Sequence, residues 1–471
     1  MKNNSIKKVF ILLPDGIGLK NFAFSEFSKI GEAKGFSVIF WNKTPFNLHE
    51  LGLHELELPN YKPSFLTSIL KTVKSYIYLD FFTNKFNDST FQSYKQKKLF
   101  SFKEFKSFFK FIIFYIFYLI FKIIGRNKIQ SLINSIERRT KYYSVCKAQL
   151  LVEKPSFIFC TNQRPVTGIS PLLAASDLGI PTSTFIFSWD NLPKATMVVK
   201  TDYYFVWSLY MKKEILKYYN EIKESQIMVT GTPQFEFYFN DNNILPKEEF
   251  YSQYNLKLDQ EYICFSGDDI TTSPYDPIYL RDLANSISLY NQHVDKKVGI
   301  IFRRSPVDLS NRYQSVLDDF RDLIHPIDPV WISFGSVWNE IMPTREDIKL
   351  LTSTVYYSKF VVNLGSSMVF DFIIYGKPCF FVNYNPNVND DNWSVEKIYK
   401  YIHFKSMPSI DSVIWINSSD SFTEKVRLIL NSNSKLDLSE TKKWFDKIVS
   451  VPPPETSSKC WDYIIQIIQS K

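Results

Sequence analysis

The sequence lacks the spacings that mark metal sites, disulfide frameworks and paired catalytic histidines. Its five cysteines lie far apart along 471 residues, with no CxxC pair and no histidine at metal-ligand spacing. They are Cys146, Cys160, Cys264, Cys379 and Cys460. The five histidines form no pairing motif. We therefore expect reduced, mostly packed thiols and no metal site.

The N-terminus has too little apolar sequence for a signal peptide. MKNNSIKKVFILLPDG starts basic, but its apolar run is about five residues, short of the ~7 to 15 that such a peptide needs. The glycines at 16 and 18 form only part of a dinucleotide fingerprint, because Asn21 stands where GxGxxG has its last glycine. We expect a cytoplasmic chain, and the partial fingerprint alone is weak evidence for a dinucleotide.

The basic excess of the chain is confined to one segment. The net charge is +8, yet residues 91–147 carry thirteen Lys or Arg against two Glu, a charge of +11. The rest of the chain therefore has a net charge of about −3. A near-neutral body with one cationic region argues against general nucleic-acid binding.

The same segment contains the most apolar run in the sequence. Eleven apolar residues lie without interruption between Lys110 and Lys122, fewer than the ~20 that a membrane span needs. We predict an interfacial helix with Phe114, Phe117 and Phe121 in the acyl boundary and the two lysines on anionic head groups. The alternative is a core helix of the N-terminal domain, whose charged neighbours are a solvated face.

Two successive series of buried strands and helices predict an α/β chain with parallel sheets. An N-terminal Rossmann-like domain over 1–240 would contain the membrane-associating insertion 91–147. A second such domain over 258–445 includes an expected strand at 330–334, and a last helix within 446–471 would return to the first domain. Apolar residues at 45% supply two cores. We expect the two domains to face each other across a cleft, with ligands at the carboxyl ends of the strands.

A glycine-serine turn in the second series is a candidate phosphate site. The buried strand KFVVNL is followed by Gly365, Ser366 and Ser367 and then by a helix. Backbone N–H groups and serine hydroxyls at a helix start favour a phosphate. Asp371, about one turn on, would take ribose hydroxyls. The alternative for both serines is plain N-capping.

This stretch, GSSMVFDFIIYGKP, resembles the donor-binding motif of GT-B glycosyltransferases of bacterial surface polysaccharide biosynthesis. It is also similar to the matching segment of CDP-glycerol glycerophosphotransferases. Three further motifs agree with the resemblance: FRRSP at 302–306, VTGTPQFEFY at 229–238 and FSWDNLP at 187–193. The resemblance covers roughly residues 155–385 as ordered short motifs, so it indicates the fold family better than the substrate.

The resemblance implies roles for several residues of the second domain. Arg303 or Arg304 would pair with the donor diphosphate, since a guanidinium matches phosphate oxygens bidentately. Ser305 stands where the family pattern prefers His, so both arginines are kept as candidates. Gly267, in SGDD, would allow close backbone approach, and the alternative role of Asp268 and Asp269 is that of N-terminal helix caps. Such enzymes stabilise the leaving group with helix ends and basic residues, which implies no metal and no cofactor beyond the nucleotide-sugar substrate.

A catalytic base is expected in the first domain. Asp15 follows the first predicted strand and would face the cleft, where a carboxylate can deprotonate an acceptor hydroxyl. Asp190, in SWDNLP, is the second candidate, and its alternative role is an Asx turn before Pro193.

The sequence thus predicts a metal-independent glycosyltransferase at the cytoplasmic face of the membrane. Its partners would be a nucleotide-sugar donor, a lipid-linked or growing glycan acceptor and an anionic membrane surface. Three alternatives stay open: a CDP-polyol phosphotransferase of the teichoic-acid type, a non-hydrolysing nucleotide-sugar 2-epimerase, and a non-catalytic membrane-bound scaffold.

Overall fold

The computed structural model describes residues 6–61, 63–95, 105–335, 341–388, 390, 392–431 and 436–470. Residues 96–104 of the predicted insertion lie outside this set. The chain divides into two compact units. Unit 1 consists of Met1–Glu236 and Ile448–Lys471, and unit 2 of Phe237–Lys447.

Unit 1 is built on a parallel sheet. Its strands in the described residues are β1 (Lys8–Leu13), β2 (Ser37–Asn42), β3 (Glu55–Glu57), β4 (Phe157–Cys160), β5 (Thr182–Phe185), β6 (Tyr203–Val206) and β7 (Ile227–Val229). They lie in the order β3-β2-β1-β4-β5-β6-β7, and each neighbouring pair is parallel. The run VFILL of β1 is fully buried, as a strand covered on both faces requires.

Helices connect these strands. They are α1 (Phe27–Ala33), α2 (Phe65–Phe86), α3 (Phe105–Ile124), α4 (Asn127–Glu137), α5 (Lys141–Glu153), α6 (Ile169–Asp177) and α7 (Leu209–Tyr218). The long helix α2 begins at a Ser64 cap, whose hydroxyl accepts from the Thr67 N–H, and ends at Asn87 in the left-handed conformation. Of the described residues, no helix is both long and apolar enough to cross a membrane.

Unit 2 repeats the plan with a second parallel sheet. Its described strands are β8 (Glu261–Ser266), β9 (Val298–Arg303), β10 (Ile324–Pro326), β11 (Trp331–Ser333), β12 (Ile341–Pro343), β13 (Ser358–Asn363), β14 (Cys379–Val382) and β15 (Ile414–Ile416). Its helices are α8 (Lys247–Gln253), α9 (Asp276–Asn291), α10 (Gln314–Asp319), α11 (Arg345–Tyr357), α12 (Met368–Ile374), α13 (Val395–Tyr399), α14 (Ser419–Asn431) and α15 (Ser439–Ile448). The sheet order is β10-β9-β8-β13-β14-β15.

One strand departs from the expectation. The segment at 330–334 was expected among the parallel strands, but β11 instead pairs antiparallel with β12, outside both large sheets. The expected α/β class with two Rossmann-like sheets is confirmed.

The last helix, α16 (Thr456–Gln469), belongs to unit 1. Trp461 is fully buried, and its Nε1 donates to the carbonyl of Phe27 at 2.7 Å. A Cβ at Gly31 of α1 would lie 2.1 Å from the Trp461 ring. The close packing of α16 on α1 therefore requires a glycine at that position.

Candidate active site

The carboxyl edge of the unit 1 sheet gathers polar side chains from neighbouring strands. Asp15 follows β1, and Asn162 follows the adjacent strand β4. The Asn162 Nδ2 donates to Asp15 Oδ2 at 2.7 Å, and the Ile17 N–H donates to Asp15 Oδ1 at 3.2 Å. Because parallel strands end together, two loops far apart in sequence fix one carboxylate.

Two cations surround this carboxylate. Burial raises the pKa of Asp15 to about 6, and this rise is opposed by the Ile17 N–H, Arg164, Asn162 and Lys71. Burial, together with Arg164, lowers the pKa of Lys71 on α2 to about 8, while Asp15 acts in the opposite direction. A carboxylate poised near neutral pH beside cations is suited to accept a proton next to an anionic substrate.

Asp190 is tied into its own turn. Its carboxylate accepts from the Ser188 hydroxyl at 2.6 Å and from Asn191 Nδ2 at 2.7 Å, and it pairs with Lys194. The Asn191 Oδ1 accepts from Gln163 Nε2 at 3.2 Å, which joins this turn to the loop after β4. These local bonds favour the turn role over the base role.

The structure adds residues that the sequence reasoning missed. Asn162, Gln163 and Arg164 come from the loop TNQRPVTG, and the Arg164 guanidinium interacts electrostatically with both Asp190 and Asp15. Their position directly after a buried strand could have identified them as site residues. Nothing in the sequence identified Lys71, because it lies inside a helix far from the motifs.

In unit 2 the predicted glycine-serine turn follows β13. Gly365 has a φ of +74°, and a Cβ there would lie 2.8 Å from the Phe404 ring, so only glycine fits. The Ser366 N–H donates to Asn363 Oδ1 at 2.9 Å, and the Ser366 hydroxyl accepts from the Met368 N–H at 3.4 Å. Ser367, at the start of α12, makes no capping bond to that helix through its side chain.

Gly267 has a packing role. A Cβ at this position would lie 2.7 Å from the Tyr313 hydroxyl. That hydroxyl donates to Asp276 Oδ2 at 3.0 Å, which also accepts from the Asp268 N–H at 2.6 Å. Burial, with the charge of Asp276, raises the pKa of Asp268 well above its usual range. The glycine is thus required by the protein's own core, and its role toward a ligand stays a prediction.

Arg303 forms an ion pair inside unit 2. Its Nη2 donates to both carboxylate oxygens of Asp347, at 2.8 and 2.9 Å, and the two side chains are only 7% and 8% exposed. Asp347 also accepts from Trp331 Nε1 at 2.7 Å. Of the described buried polar atoms, Arg303 Nη1 is one that has no hydrogen-bond partner, so the expected diphosphate contact of Arg303 stays a prediction beside its internal ion pair. Arg304 is more open, because its Nε pairs with the exposed Asp328 at 2.7 Å.

The expected role of Asp371 is corrected. The residue is 4% exposed, and its carboxylate accepts from the Tyr238 hydroxyl at 2.6 Å. A ribose contact requires an accessible carboxylate. In this arrangement the side chain instead fixes Tyr238 against α12.

The helix predicted to meet a membrane, α3, points the three predicted phenylalanines toward the core of unit 1. Phe114 and Phe121 are 6% and 3% exposed and pack into the unit 1 core, and Phe117 is partly buried against it. Their predicted insertion into lipid is wrong, because these positions share the inward face of α3. Lys110 and Lys122 are exposed.

The outward face of α3 is apolar. We name it the α3 stripe, and its members are Phe108, Phe109, Ile112, Tyr115, Ile116, Leu119, Ile120, Ile123 and Ile124, which are 36% to 86% exposed. They recur every three or four residues, the spacing of one helix face. An exposed patch of this kind marks a contact surface.

The buried ion pair predicts a large stability effect. Replacing Arg303 by Gln leaves Asp347 buried without its cation, which should lower the free energy of unfolding by about 3–5 kcal/mol. The matched Arg304→Gln change, at a partly exposed pair, should cost under about 1 kcal/mol. Urea denaturation of both variants measures the difference.

The same pair sets a pH dependence. Arg303 lowers the pKa of Asp347, although burial opposes it. The ion pair therefore stabilises the fold fully above the pKa of Asp347 in the unfolded chain, ~4. This contribution is lost as the pH falls through the lower pKa of Asp347 in the folded state. Equal losses of unfolding free energy in Arg303→Gln and Arg304→Gln would contradict the assignment of a buried ion pair to Arg303 and Asp347.

Comparisons with known proteins give the fold. No family model and no curated protein sequence matches the chain. A putative UDP-N-acetylglucosamine 2-epimerase from Listeria monocytogenes aligns at 9% identity and a TM-score of 0.55, over 99% of this chain and 98% of its own. A UDP-GlcNAc 2-epimerase from Methanocaldococcus jannaschii is 14% identical, with a TM-score of 0.53. The alignment covers 99% of this chain and 100% of the epimerase.

A glycosyltransferase from Rickettsia africae is similar to the same extent. It is 10% identical, with a TM-score of 0.52 and 99% of each chain covered. These likenesses confirm the expected GT-B-like fold. At such identities they show the fold alone.

Proposed function

We propose that the chain is a metal-independent glycosyltransferase that moves a sugar from a nucleotide-sugar to a hydroxyl of a lipid-linked or growing surface glycan. It would act as a peripheral protein on the cytoplasmic face of the membrane. One observation carries the proposal: Asp15, oriented by Asn162 and placed beside Lys71 and Arg164, in the unit that presents the α3 stripe.

Asp15 is assigned to the acceptor. Sugar transfer to a hydroxyl requires a base that removes its proton as the new bond forms. A carboxylate with a pKa of about 6 is ionised at neutral pH and is basic enough for that task. Lys71 and Arg164 would hold an anionic group of the acceptor.

The donor is assigned to unit 2. Gly365, Ser366 and Ser367 follow β13, and the loop of Gly267 follows β8, its neighbour in the sheet. Ligands of parallel α/β sheets bind at this edge. Arg304 comes before Arg303 as the candidate diphosphate ligand, because it is the more exposed of the two.

The membrane contact is assigned to the α3 stripe. Its apolar side chains are flanked by the exposed Lys110 and Lys122, a pattern typical of helices that lie in the lipid interface. Each basic residue near an anionic leaflet contributes about 1 kcal/mol. The proposed membrane location therefore rests on the α3 stripe, which faces away from the core of unit 1.

A nucleotide-sugar 2-epimerase is the second candidate, because solved epimerases share this fold. The α3 stripe favours the transferase, since an enzyme that converts one soluble nucleotide-sugar into another has no need of a lipid surface. A CDP-polyol phosphotransferase would also use a membrane acceptor, and donor preference separates it from a glycosyltransferase.

Nucleotide binding tests the donor assignment. A thermal-shift series with UDP, GDP, CDP, CMP and dTDP should show one nucleotide that stabilises the protein, by about 2.7 kcal/mol at a hundred times its Kd. Arg304→Gln should weaken this effect, whereas Arg427→Gln, an exposed arginine on α14, should not. If all five nucleotides leave the unfolding temperature unchanged, the donor assignment fails.

The pH profile tests the acceptor assignment. The active form needs Asp15 ionised, so kcat/KM should rise with pH through about 6. It should fall again near 8 if Lys71 must keep its proton. Initial rates between pH 4.5 and 9.5 measure both limbs, and the apparent values belong to the coupled pair. A profile that stays flat from pH 5 to 7 would contradict the role of Asp15.

A further inference from the structure

A cavity of about 320 Å³ lies in unit 1, away from the Asp15 site. Its walls come from α2, α4 and the segments that precede β6 and β7. Volumes near ~300 Å³ are the lower end of the range for small-molecule sites. Nothing proposed so far for Asp15 or for unit 2 uses this cavity.

The cavity is cationic. Lys74, Arg126 and Lys200 line it, against one acidic residue, Glu221. The Glu221 carboxylate already accepts from the Tyr78 hydroxyl at 2.6 Å. Burial lowers the pKa of Lys74 to about 8, with Glu221 acting against this fall and Lys200 adding to it. The Lys74 Nζ donates to Gln130 Oε1 at 2.5 Å. Such a site favours an anionic ligand.

The cavity adjoins a second cavity of mixed lining. A second cavity of about 170 Å³ shares four lining residues with it: Gln130, Val199, Lys200 and Thr201. The wall of this second space includes Ile169, Leu172 and Leu173. Its other lining residues are mostly polar and include Arg138 and Asp202, so the polar character of the first cavity continues into the second.

The position of the cavity connects it to the α3 stripe. Arg126 lies two residues beyond the last residue of α3, and its guanidinium stacks 3.5 Å from the centre of the Phe81 ring on α2. Ile123 and Ile124, at the end of the stripe, are 86% and 54% exposed. The cationic cavity therefore begins where the proposed membrane-facing surface ends.

We propose that this cavity binds the phosphate headgroup of an anionic membrane lipid. The proposal rests on the membrane contact of the proposed function and deepens it. Lys74, Arg126 and Lys200 supply the charge that a phosphate needs, and the lipid chain would extend toward Ile123 and Ile124 at the end of the α3 stripe.

Binding of a monomeric lipid tests the site without a bilayer. Dihexanoylphosphatidylglycerol below its micellar concentration is titrated calorimetrically into the full chain, with dihexanoylphosphatidylcholine and inorganic phosphate as comparisons. The anionic lipid should bind at least tenfold more tightly than either. Lys74→Met and Lys200→Gln should each weaken it at least tenfold, and Lys213→Gln, an exposed lysine on α7, should leave it unchanged.

The outcomes separate this proposal from the larger one. Lys200 is exposed, so its variant should fold normally even if Lys74→Met does not. Equal affinity in wild type and Lys200→Gln would overturn the site, as would inorganic phosphate binding as tightly as the lipid. A variant of the α3 stripe should lose vesicle binding but retain the monomeric lipid. Loss of sugar transfer with intact lipid binding would refute the proposed function alone.

Discussion

Asp15→Asn is expected to lower kcat/KM by about 10²- to 10⁴-fold, the usual contribution of a general base. The amide preserves the size of the side chain and the bond from the Ile17 N–H, but it cannot take the acceptor proton. The rising limb of the pH profile near 6 should disappear with it. Initial rates with a saturating nucleotide-sugar measure the effect.

The stability of the same variant distinguishes a catalytic role from a structural one. The folded pKa of Asp15, about 6, is above its unfolded value of ~3.9, so the folded state loses stability as the pH rises between these values. Removing the charge should therefore leave the unfolding temperature at pH 7 unchanged or higher. A carboxylate with only a structural role would show the opposite sign.

Asp190→Asn is the matched control. Asp190 is held by Ser188, Asn191 and Lys194 within its own turn, so its loss should cost about 1 kcal/mol of stability per hydrogen bond and little activity. An Asp190 variant as inactive as the Asp15 variant would assign the base to the second candidate.

Ile116→Asp combined with Ile120→Asp is expected to abolish binding to anionic vesicles. Both side chains lie on the α3 stripe and are 51% and 41% exposed, so the folded protein tolerates the charge. Burying two isoleucines in the interface is worth about 3 kcal/mol, or more than a hundredfold in partitioning. Vesicle sedimentation with phosphatidylglycerol measures the loss.

The opposite face of α3 provides the control. Phe114→Asp places a charge in the unit 1 core, where it should destabilise folding by about 3–5 kcal/mol. The two changes therefore separate a surface defect from a folding defect. If the Ile116/Ile120 variant sediments with vesicles as wild type does, the stripe serves another purpose.

The periodic parts of the fold were predictable from the sequence. The buried run VFILL and the apolar segment before Gly365 predicted central strands of two parallel sheets, because such strands are apolar on both faces. The segment at 330–334, VWISF, is also mostly apolar, yet its strand β11 pairs with β12. Composition indicates a strand, but it does not identify the sheet that the strand joins.

The site was predictable where a polar residue directly follows a buried strand. Asp15 was found this way, and Asn162 was in reach of the same rule. Arg303 shows the limit of the rule, because its partner Asp347 lies 44 residues away, at the start of another helix. Only the folded arrangement shows whether a cation is already neutralised.

The orientation of α3 was not predictable from its composition. An almost wholly apolar run carries no contrast between faces, so the choice of Phe114 and Phe121 as lipid contacts had no basis in periodicity. The orientation of α3 is set by tertiary packing, which places the rings of Phe114 and Phe121 in the core.

One measurement tests the central claim most directly. The protein is incubated with membrane vesicles and a panel of nucleotide-sugars labelled in the sugar, and the label is followed into the lipid-extractable and polymeric fractions. We predict that one nucleotide-sugar delivers label to those fractions, that its nucleotide is released in equal amount, and that Asp15→Asn abolishes both. Label that stays on the nucleotide as an epimerised sugar, without need of vesicles, would contradict the account.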